Sequence, residues 1–391
     1  MVLPRGLLIG SEMVLRAQPN STEQSAVVVV LSAEERQRER EQADEARRVV
    51  RDHFNNLTSF QYEQAIGSGM FGVAYSVMEK RLGRRARRLV VKRAQTELAE
   101  NELRDEIRMM TKLNGSAHIA AVIAAKDDHE NTQLRPGIVG RLVSKITSRE
   151  KDMLVGLPGP TLVLEHLENG TVHNLMGALG RKTRTLPNRV LWSFFLCLVR
   201  ACIAMRSPPE QPYGAKPELE EISETRLRSS ITHSDMHSGN ILLGSAGDFP
   251  EHAVIPPMKL IDFGLSYTGG WGEGDSRNLL DAGKQIYYLI MGRYRDIGFR
   301  HELHNGVNTN ATEILPRNGQ EPYPMLDTDL RNLVARCLAM DPTDRPSLAE
   351  ALGICKNALE TRTPGFYGFH SARETDYLIR HLLQEIVYDA N

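Results

Sequence analysis

The sequence predicts an α+β chain, with a small antiparallel β-rich region carrying one helix, followed by a larger and mainly helical region. Three observations predict it. From Phe60 onward, short β-rich runs flank a glycine-rich turn. One segment with an apolar helical stripe, Glu97 to Leu113, follows them. Beyond Thr171 the apolar segments have helical length and spacing. That order implies two lobes with a cleft between them, where ligands commonly bind.

Taken in order, residues 1 to about 31 lack strong periodicity, as termini often do. Ser32-Ala33-Glu34-Glu35 then forms a capping box, with Ser32 at the N-cap and Glu35 at N3. The charged helix beyond it, to about His53, has apolar residues to dock only at its end: Val49, Val50 and Phe54. It reads as a solvated helix leading into the domain, with a partner-binding helix as the alternative. Strands surround the glycine turn, and another runs from Arg88 to Lys92. The Glu97–Leu113 helix places Leu98, Ile107, Met110 and Leu113 on one stripe. Ile119 to Ala125 and Thr161 to His166 are further strands, separated by a polar insertion at about 127–159. Pro187 stands near the start of an apolar helix that runs to about Met205. Ser207 to Ser229, rich in Pro and Glu, reads as a loop or linker, and Ile231 to Ile261 as strand, loop and strand. Helices are expected at Asn278–Met291, Asp329–Met340, Ser347–Leu359 and Arg373–Val387. The resulting organisation is an N-terminal extension (1–59), a domain over 60–359 divided at about 167/168, and a C-terminal extension (360–391) with a helix.

Composition narrows the function classes. The 391 residues are 41% apolar and 25% charged, ordinary for a soluble globular protein. A formal charge of -1 offers no basic field for nucleic acid or an anionic membrane, so neither is expected as a partner. The four cysteines (Cys197, Cys202, Cys337, Cys355) are too few for a disulfide framework and lack metal-ligand spacing. Cys197 and Cys202 lie in an apolar run and read as reduced core residues, which suits a cytoplasmic or nuclear protein. The apolar stretches Leu7–Ile9 and Val27–Leu31 fall far short of the roughly 20 residues that a membrane helix needs. No signal-peptide pattern comes after them.

The chemistry lies in a few short patterns. Gly67-Ser68-Gly69-Met70-Phe71-Gly72 is a G-x-G-x-x-G turn, and the next residues, Val73 to Val77, form a strand rather than a helix. A β-hairpin of that kind lays backbone N–H groups over phosphates without side-chain obstruction. Lys92 ends its strand, and Glu106 on the next helix is spaced to pair with it. His233-Ser234-Asp235-Met236-His237-Ser238-Gly239-Asn240 leads into Ile241-Leu242-Leu243, and Asp262-Phe263-Gly264 comes after Lys259-Leu260-Ile261. Phosphoryl transfer calls for a carboxylate to orient the acceptor and for oxygen ligands on magnesium. Asp235 suits the first role; Asn240 and Asp262 suit the second.

These patterns, in this order, resemble a eukaryotic-type protein kinase from about Phe60 to Leu359. The resemblance implies a two-lobed fold, ATP and Mg2+ as cofactors, and a protein Ser/Thr substrate. It makes Lys92, Glu106, Asp235 and His237 catalytic and Asn240 and Asp262 metal ligands. The nucleotide is expected on Gly67, Ser68, Gly69, Met70, Phe71, Gly72, Ala74, Val90 and Lys92, with Leu164 as gatekeeper and Glu165 and Leu167 in the hinge. Asp341-Pro342-Thr343-Asp344-Arg345-Pro346 resembles the motif near the domain's end. Ala74 and Val90 depart from the family's usual Val and Ala over the adenine, a compensated exchange that conserves volume. Ser234 replaces an arginine that often contacts an activation-loop phosphate. His237 stands where a lysine is usual and is similar to the loop of aminoglycoside- and choline-kinase-like phosphotransferases. It could stabilise the transferred phosphoryl or orient Asp235. The segment after Gly264 is short and has no A-P-E, so Arg345 lacks its usual glutamate, for which Glu273 is a candidate substitute. Either Asn278 or Asp281 could anchor the loop around Asp235. These departures leave two alternatives beside a protein kinase: a small-molecule phosphotransferase of the same fold and a pseudokinase acting as a binding module.

Overall fold

The computed structural model describes residues 14–16, 27–29, 33–69, 72–80, 83, 85–127, 153–182, 184–270, 272–294, 297 and 300–389. Met70, Phe71, the N-cap Ser32, Arg84 and most of the 127–159 insertion lie outside them. The chain divides into two compact units, one of residues 1–108 and 122–166, the other of residues 109–121 and 167–391.

The first unit is built on one antiparallel five-stranded sheet. Strands β1 (Val14–Arg16) and β2 (Val27–Val29) pair separately. The sheet comprises β3 (Phe60–Gly69), β4 (Gly72–Glu79), β5 (Arg87–Arg93), β6 (Val122–Lys126) and β7 (Thr161–Glu165), in the order β3-β4-β5-β7-β6. Side chains alternate across a strand, so this register assigns the faces. Val73, Tyr75, Val77, Leu89, Val91 and Val163 form one buried face. Against it pack Val50 and Phe54 of α1 (Ala33–Asn56), both fully buried, together with Met153, Leu154 and Leu157. The long charged helix is therefore fastened by the end that carries its apolar residues. The opposite face holds Ala74, Val90, Lys92, Leu162 and Leu164, aligned by the pairs Ala74–Lys92, Lys92–Leu162 and Val90–Leu164. Helix α2 (Glu97–Leu113) matches the expected span.

The second unit is mainly helical: α3 (Val172–Lys182), α4 (Asn188–Arg206), α5 (Glu273–Met291), α6 (Thr328–Cys337), α7 (Leu348–Thr361) and α8 (Asp376–Leu383). Helix α4 is the one described helix long and apolar enough to span a bilayer, and nearly all of it is buried as a core helix. It has no cap of its own at Pro187. The fully buried carboxylate of Glu374 accepts from the N–H groups of Asn188 (2.9 Å) and Arg189 (3.0 Å), which stitches residues beyond 360 into the unit. Short strands β8 (Ile231–Thr232), β9 (Ile241–Leu243), β10 (Met258–Leu260) and β11 (Tyr267–Thr268) pair as β9–β10 and β8–β11. Strands β12 (Glu302–His304) and β13 (Val307–Thr309) form a further hairpin.

The stretch read as a loop or linker, 207–229, is an irregular but anchored loop. Asn114 donates to the carbonyls of Gln211 and Pro212. Glu220 is buried and receives the His118 N–H at 2.8 Å. Pro and Glu content signals an irregular backbone, but it does not distinguish a loose linker from a fastened strap.

Candidate functional site

In the first unit, the glycine hairpin forms through the pairs Gly67–Ala74, Ser68–Val73 and Gly69–Gly72. Its glycines serve different ends. A Cβ at Gly72 (φ +144°) would lie 2.1 Å from the Arg93 carbonyl oxygen, so the neighbouring strand itself demands glycine. A Cβ at Gly67 would meet no atom of the described residues within 4 Å, so nothing in their packing requires glycine there. Lys92 Nζ lies 2.6 Å from Glu106 Oε2, and the Glu106 side chain is almost wholly buried. An ion pair so placed holds the ammonium in one position, because removing either partner leaves a buried charge. Ala74, Val90 and Leu164 share the face of Lys92, while Glu165 ends β7 and Leu167 opens the second unit.

In the second unit, the residues between β8 and β9 form a loop fixed from several sides. Asn278 on α5 accepts the His233 N–H (3.0 Å) and donates to the Ile231 carbonyl (2.8 Å). The alternative anchor, Asp281, instead pairs with Lys284 (2.8 Å) and Arg277 (3.3 Å). Two turns along the same helix, Gln285 donates to the Met236 carbonyl at 3.0 Å. Sequence reading missed Gln285, although its i,i+7 spacing from Asn278 was the available signal.

His233 is fully buried. Its Nε2 lies 3.0 Å from the Ile261 carbonyl, and its Nδ1 accepts the Asp235 N–H at 3.2 Å. That pattern belongs to a neutral imidazole protonated at Nε2. Burial holds its pKa below the ordinary histidine value in spite of the Ile261 carbonyl and nearby carboxylates. The preceding strand and the loop are thus tied to the residue just before Asp262. Ser234 (φ +65°) and Asp262 (φ +63°) both occupy left-handed backbone, which is costly for residues with a Cβ and is found mostly where surroundings enforce it.

Asn240 donates through Nδ2 to both the Asp235 carbonyl and Asp235 Oδ2, each at 3.0 Å. Its amide nitrogen is thus spent on Asp235, and those two bonds leave its Oδ1 unused. The pairing Ile241–Leu260 and the bond from Ile261 N–H to the Asn240 carbonyl (3.0 Å) bring Asn240 alongside the Ile261–Asp262 backbone. Burial pushes the Asp235 carboxyl upward, but His237, His233 and Asn240 outweigh it and leave the pKa below the usual carboxylate value. His237 Nε2 is 3.6 Å from Asp235 Oδ2, an ion-pair distance, and the adjacent Asp235 carboxylate, against burial, raises the imidazole pKa above its ordinary value. Gly239 N–H donates to His237 Nδ1 at 3.0 Å, and a Cβ on Gly239 would lie 2.8 Å from the ring. Gly239 therefore fixes the ring over the loop, a role the sequence reading did not give it.

The segment after Gly264 is short. It bridges back through Tyr267–Thr232 and Thr268–Ile231, then enters α5 at Glu273. The suggested pair between Arg345 and Glu273 is not formed. Arg345 donates instead to the Ser276 hydroxyl (3.1 Å) and carbonyl (3.3 Å) and to the Ala339 carbonyl (3.1 Å). Glu273 turns to the Gly270 N–H at 3.3 Å. A guanidinium can be satisfied by carbonyl and hydroxyl oxygens, so it does not require a carboxylate.

No family model matches the chain. Calcium-dependent protein kinase 12 of Oryza sativa subsp. japonica is 21% identical over 320 residues, covering 75% of this chain and 48% of that protein. The likeness is to a protein kinase. The chain spans about half the length of this curated relative. At that identity the comparison supports a kinase-like relationship at most. The α+β architecture with an antiparallel five-stranded sheet is compatible with a two-lobed kinase-like fold.

Proposed function

We propose that the chain is an ATP- and Mg2+-dependent phosphotransferase that moves the γ-phosphate of ATP to Ser or Thr hydroxyls on protein. The observation that carries this reading is the 231–243 loop, in which a carboxylate of lowered pKa is oriented by Asn240 beside His237. An ionised Asp235 accepts the hydrogen bond of an incoming hydroxyl, directs its lone pair, and takes its proton as transfer proceeds. Lys92, steadied by Glu106, holds nucleotide phosphate oxygens. Asn240 Oδ1 and the Asp262 carboxylate are an all-oxygen donor set of the kind that hard cations prefer, and the residues fit magnesium on that ground. Bound magnesium would neutralise charge on the phosphate oxygens. His237 donates from Nε2 toward Asp235 or toward transferred oxygens, and its acid form would do so on giving up the Gly239 N–H bond at Nδ1.

A second reading, transfer to a small molecule, is favoured by one observation. The short stretch between Gly264 and Glu273 leaves little chain to serve as a peptide platform.

The test is transfer of label from γ-labelled ATP to a mixed panel of proteins and small hydroxyl compounds. Label on protein Ser or Thr is the expected result. Label confined to small molecules replaces the leading reading with the second. No transfer to any acceptor removes both and leaves a binding module.

A further inference from the structure

Away from the residues assigned to phosphoryl transfer, the second unit holds a buried cluster that no part of the proposed reaction uses. His118 lies in the turn after α2, Cys197 in the middle of α4, and His252 at the end of the short turn Pro250–His252. All three are buried, and their ligand-type atoms lie within 4.8 Å of one another. The two imidazoles approach through their Nε2 atoms at 3.0 Å. Glu251 adds a carboxylate oxygen, Oε1, at 3.3 Å from His252 Nε2 and 4.0 Å from His118 Nε2. That oxygen is shielded from solvent and accepts no well-formed hydrogen bond from the described residues.

The triangle of two nitrogens and one oxygen has the size of a metal coordination face. Ligands about 2.0–2.2 Å from a tetrahedral zinc stand roughly 3.3–3.5 Å apart, and a thiolate at about 2.3 Å stands roughly 3.6 Å from a nitrogen ligand. The observed edges of 3.0, 3.3 and 4.0 Å bracket the first value. The outer partners are also those expected around a zinc centre. His118 Nδ1, the nitrogen directed away from the cluster, meets the buried Glu220 Oε2 at 2.6 Å, a carboxylate–histidine arrangement that fixes the ring and raises its basicity as a ligand. The other carboxylate oxygen of Glu251, Oε2, receives Arg200 Nη2 at 2.8 Å, so Oε1 is left directed at the histidines. Arg200 also donates to the Glu220 carbonyl.

We propose that His118, Cys197, His252 and Glu251 bind a structural zinc ion, with Glu220 and Arg200 as its outer support. Two imidazoles and a thiolate lie within 4.8 Å of one another, and the Glu251 carboxylate beside both imidazoles supplies the fourth ligand of a set that suits zinc. The ion cross-links the turn after α2, the core helix α4 and the Pro250–His252 turn, and through Glu220 it secures the 207–229 strap. The ligands come from positions 118, 197, 251 and 252, so no compact sequence motif announces them. Spacing rules for cysteines identify local motifs only, and the lack of ligand spacing among these cysteines excludes nothing more than such a motif.

The experiment uses the full chain without a polyhistidine tag, purified and measured for bound metals by mass spectrometry, then reloaded with Co2+ as an optical probe. The expected result is about one zinc per chain, with a thiolate-to-cobalt charge-transfer band after reloading. Cys197→Ser should abolish the band and lower zinc content several-fold. Cys355→Ser, which alters another buried cysteine outside the cluster, should leave both unchanged. Substoichiometric zinc in the wild-type chain together with no cobalt band overturns the proposal and leaves two imidazoles sharing a proton beside Glu220. A band that survives in Cys197→Ser, or stoichiometric copper in place of zinc, overturns it as well. The wild-type cobalt measurement decides the matter even if Cys197→Ser fails to fold.

Discussion

Two neighbouring stretches of the second unit are held very differently. The loop from Ile231 to Leu243 is fastened through side chains. Asn278 binds it twice, Gln285 once, and His233 bridges it to Ile261, while Asn240 locks Asp235. The stretch from Phe263 to Gly270 is held by the burial of Phe263 against His233 and then mostly by backbone bonds to β8 and Ser230, with Leu265 and Tyr267 about half exposed. The difference is physical. His233, Asp235 and Asn240 are each tied to fixed partners, as orienting a carboxylate for the proposed proton transfer would require. Beyond the buried Phe263 the later stretch shows few such ties, and Leu265, Tyr267 and Thr268 are exposed.

This contrast can be broken or sharpened by substitution. The largest effect is expected for Asp235→Asn, which keeps the shape and the Asn240 contact but removes the proton acceptor. Turnover should fall by about a thousand-fold, within the ~10²–10⁴ range of general acid–base contributions, as measured by initial rates at saturating ATP. Undiminished turnover would move the chemistry to another residue.

Asn278→Ala comes next. It strands a buried N–H and a buried carbonyl, each worth about 1–3 kcal/mol, so a loss of about 3 kcal/mol is expected in urea unfolding. Asp281→Ala removes ion pairs with partly exposed partners and should cost about 1 kcal/mol or less. Equal losses for the two would remove the distinction between anchor and bystander.

His237 should act more mildly. Its pKa is raised, so the protonated form persists above the ordinary histidine range and is lost as pH rises through the folded-state value. Turnover should therefore fall by about tenfold across that step, and His237→Lys should flatten the profile. Gly239→Ala, which pushes the ring aside, should reduce the rate in the same direction. A pH profile unchanged in His237→Lys would leave the imidazole a purely structural role.

The smallest effect belongs to the less constrained stretch. Tyr267→Ala should change stability by less than about 0.5 kcal/mol and leave turnover at saturating acceptor intact. Any change should appear in the acceptor KM. A large loss in turnover at saturation would show that this stretch is as constrained as the loop.

Legibility followed the same division. Helix α2 was readable because its apolar stripe is local, and the face shared by Ala74, Val90, Lys92 and Leu164 follows from strand alternation. Asn278 and Asp281 could not be separated because residues three apart lie on one side of a helix. Only the hydrogen bonds distinguish them. Ser276 as the partner of Arg345, Glu374 as the cap of α4, and the His118–Cys197–His252 cluster were illegible for one reason: each joins residues distant in sequence through side chains, without a periodic or spaced signature.

The role of Asp235 as proton acceptor can be measured by single-turnover transfer from γ-labelled ATP, alongside nucleotide binding, in the wild-type chain and Asp235→Asn. Label transfer by the wild type, its near-complete loss in the variant, and nucleotide affinity unchanged between them are the expected results. Transfer that persists in Asp235→Asn, or its absence from the wild type across the acceptor panel, would contradict that role.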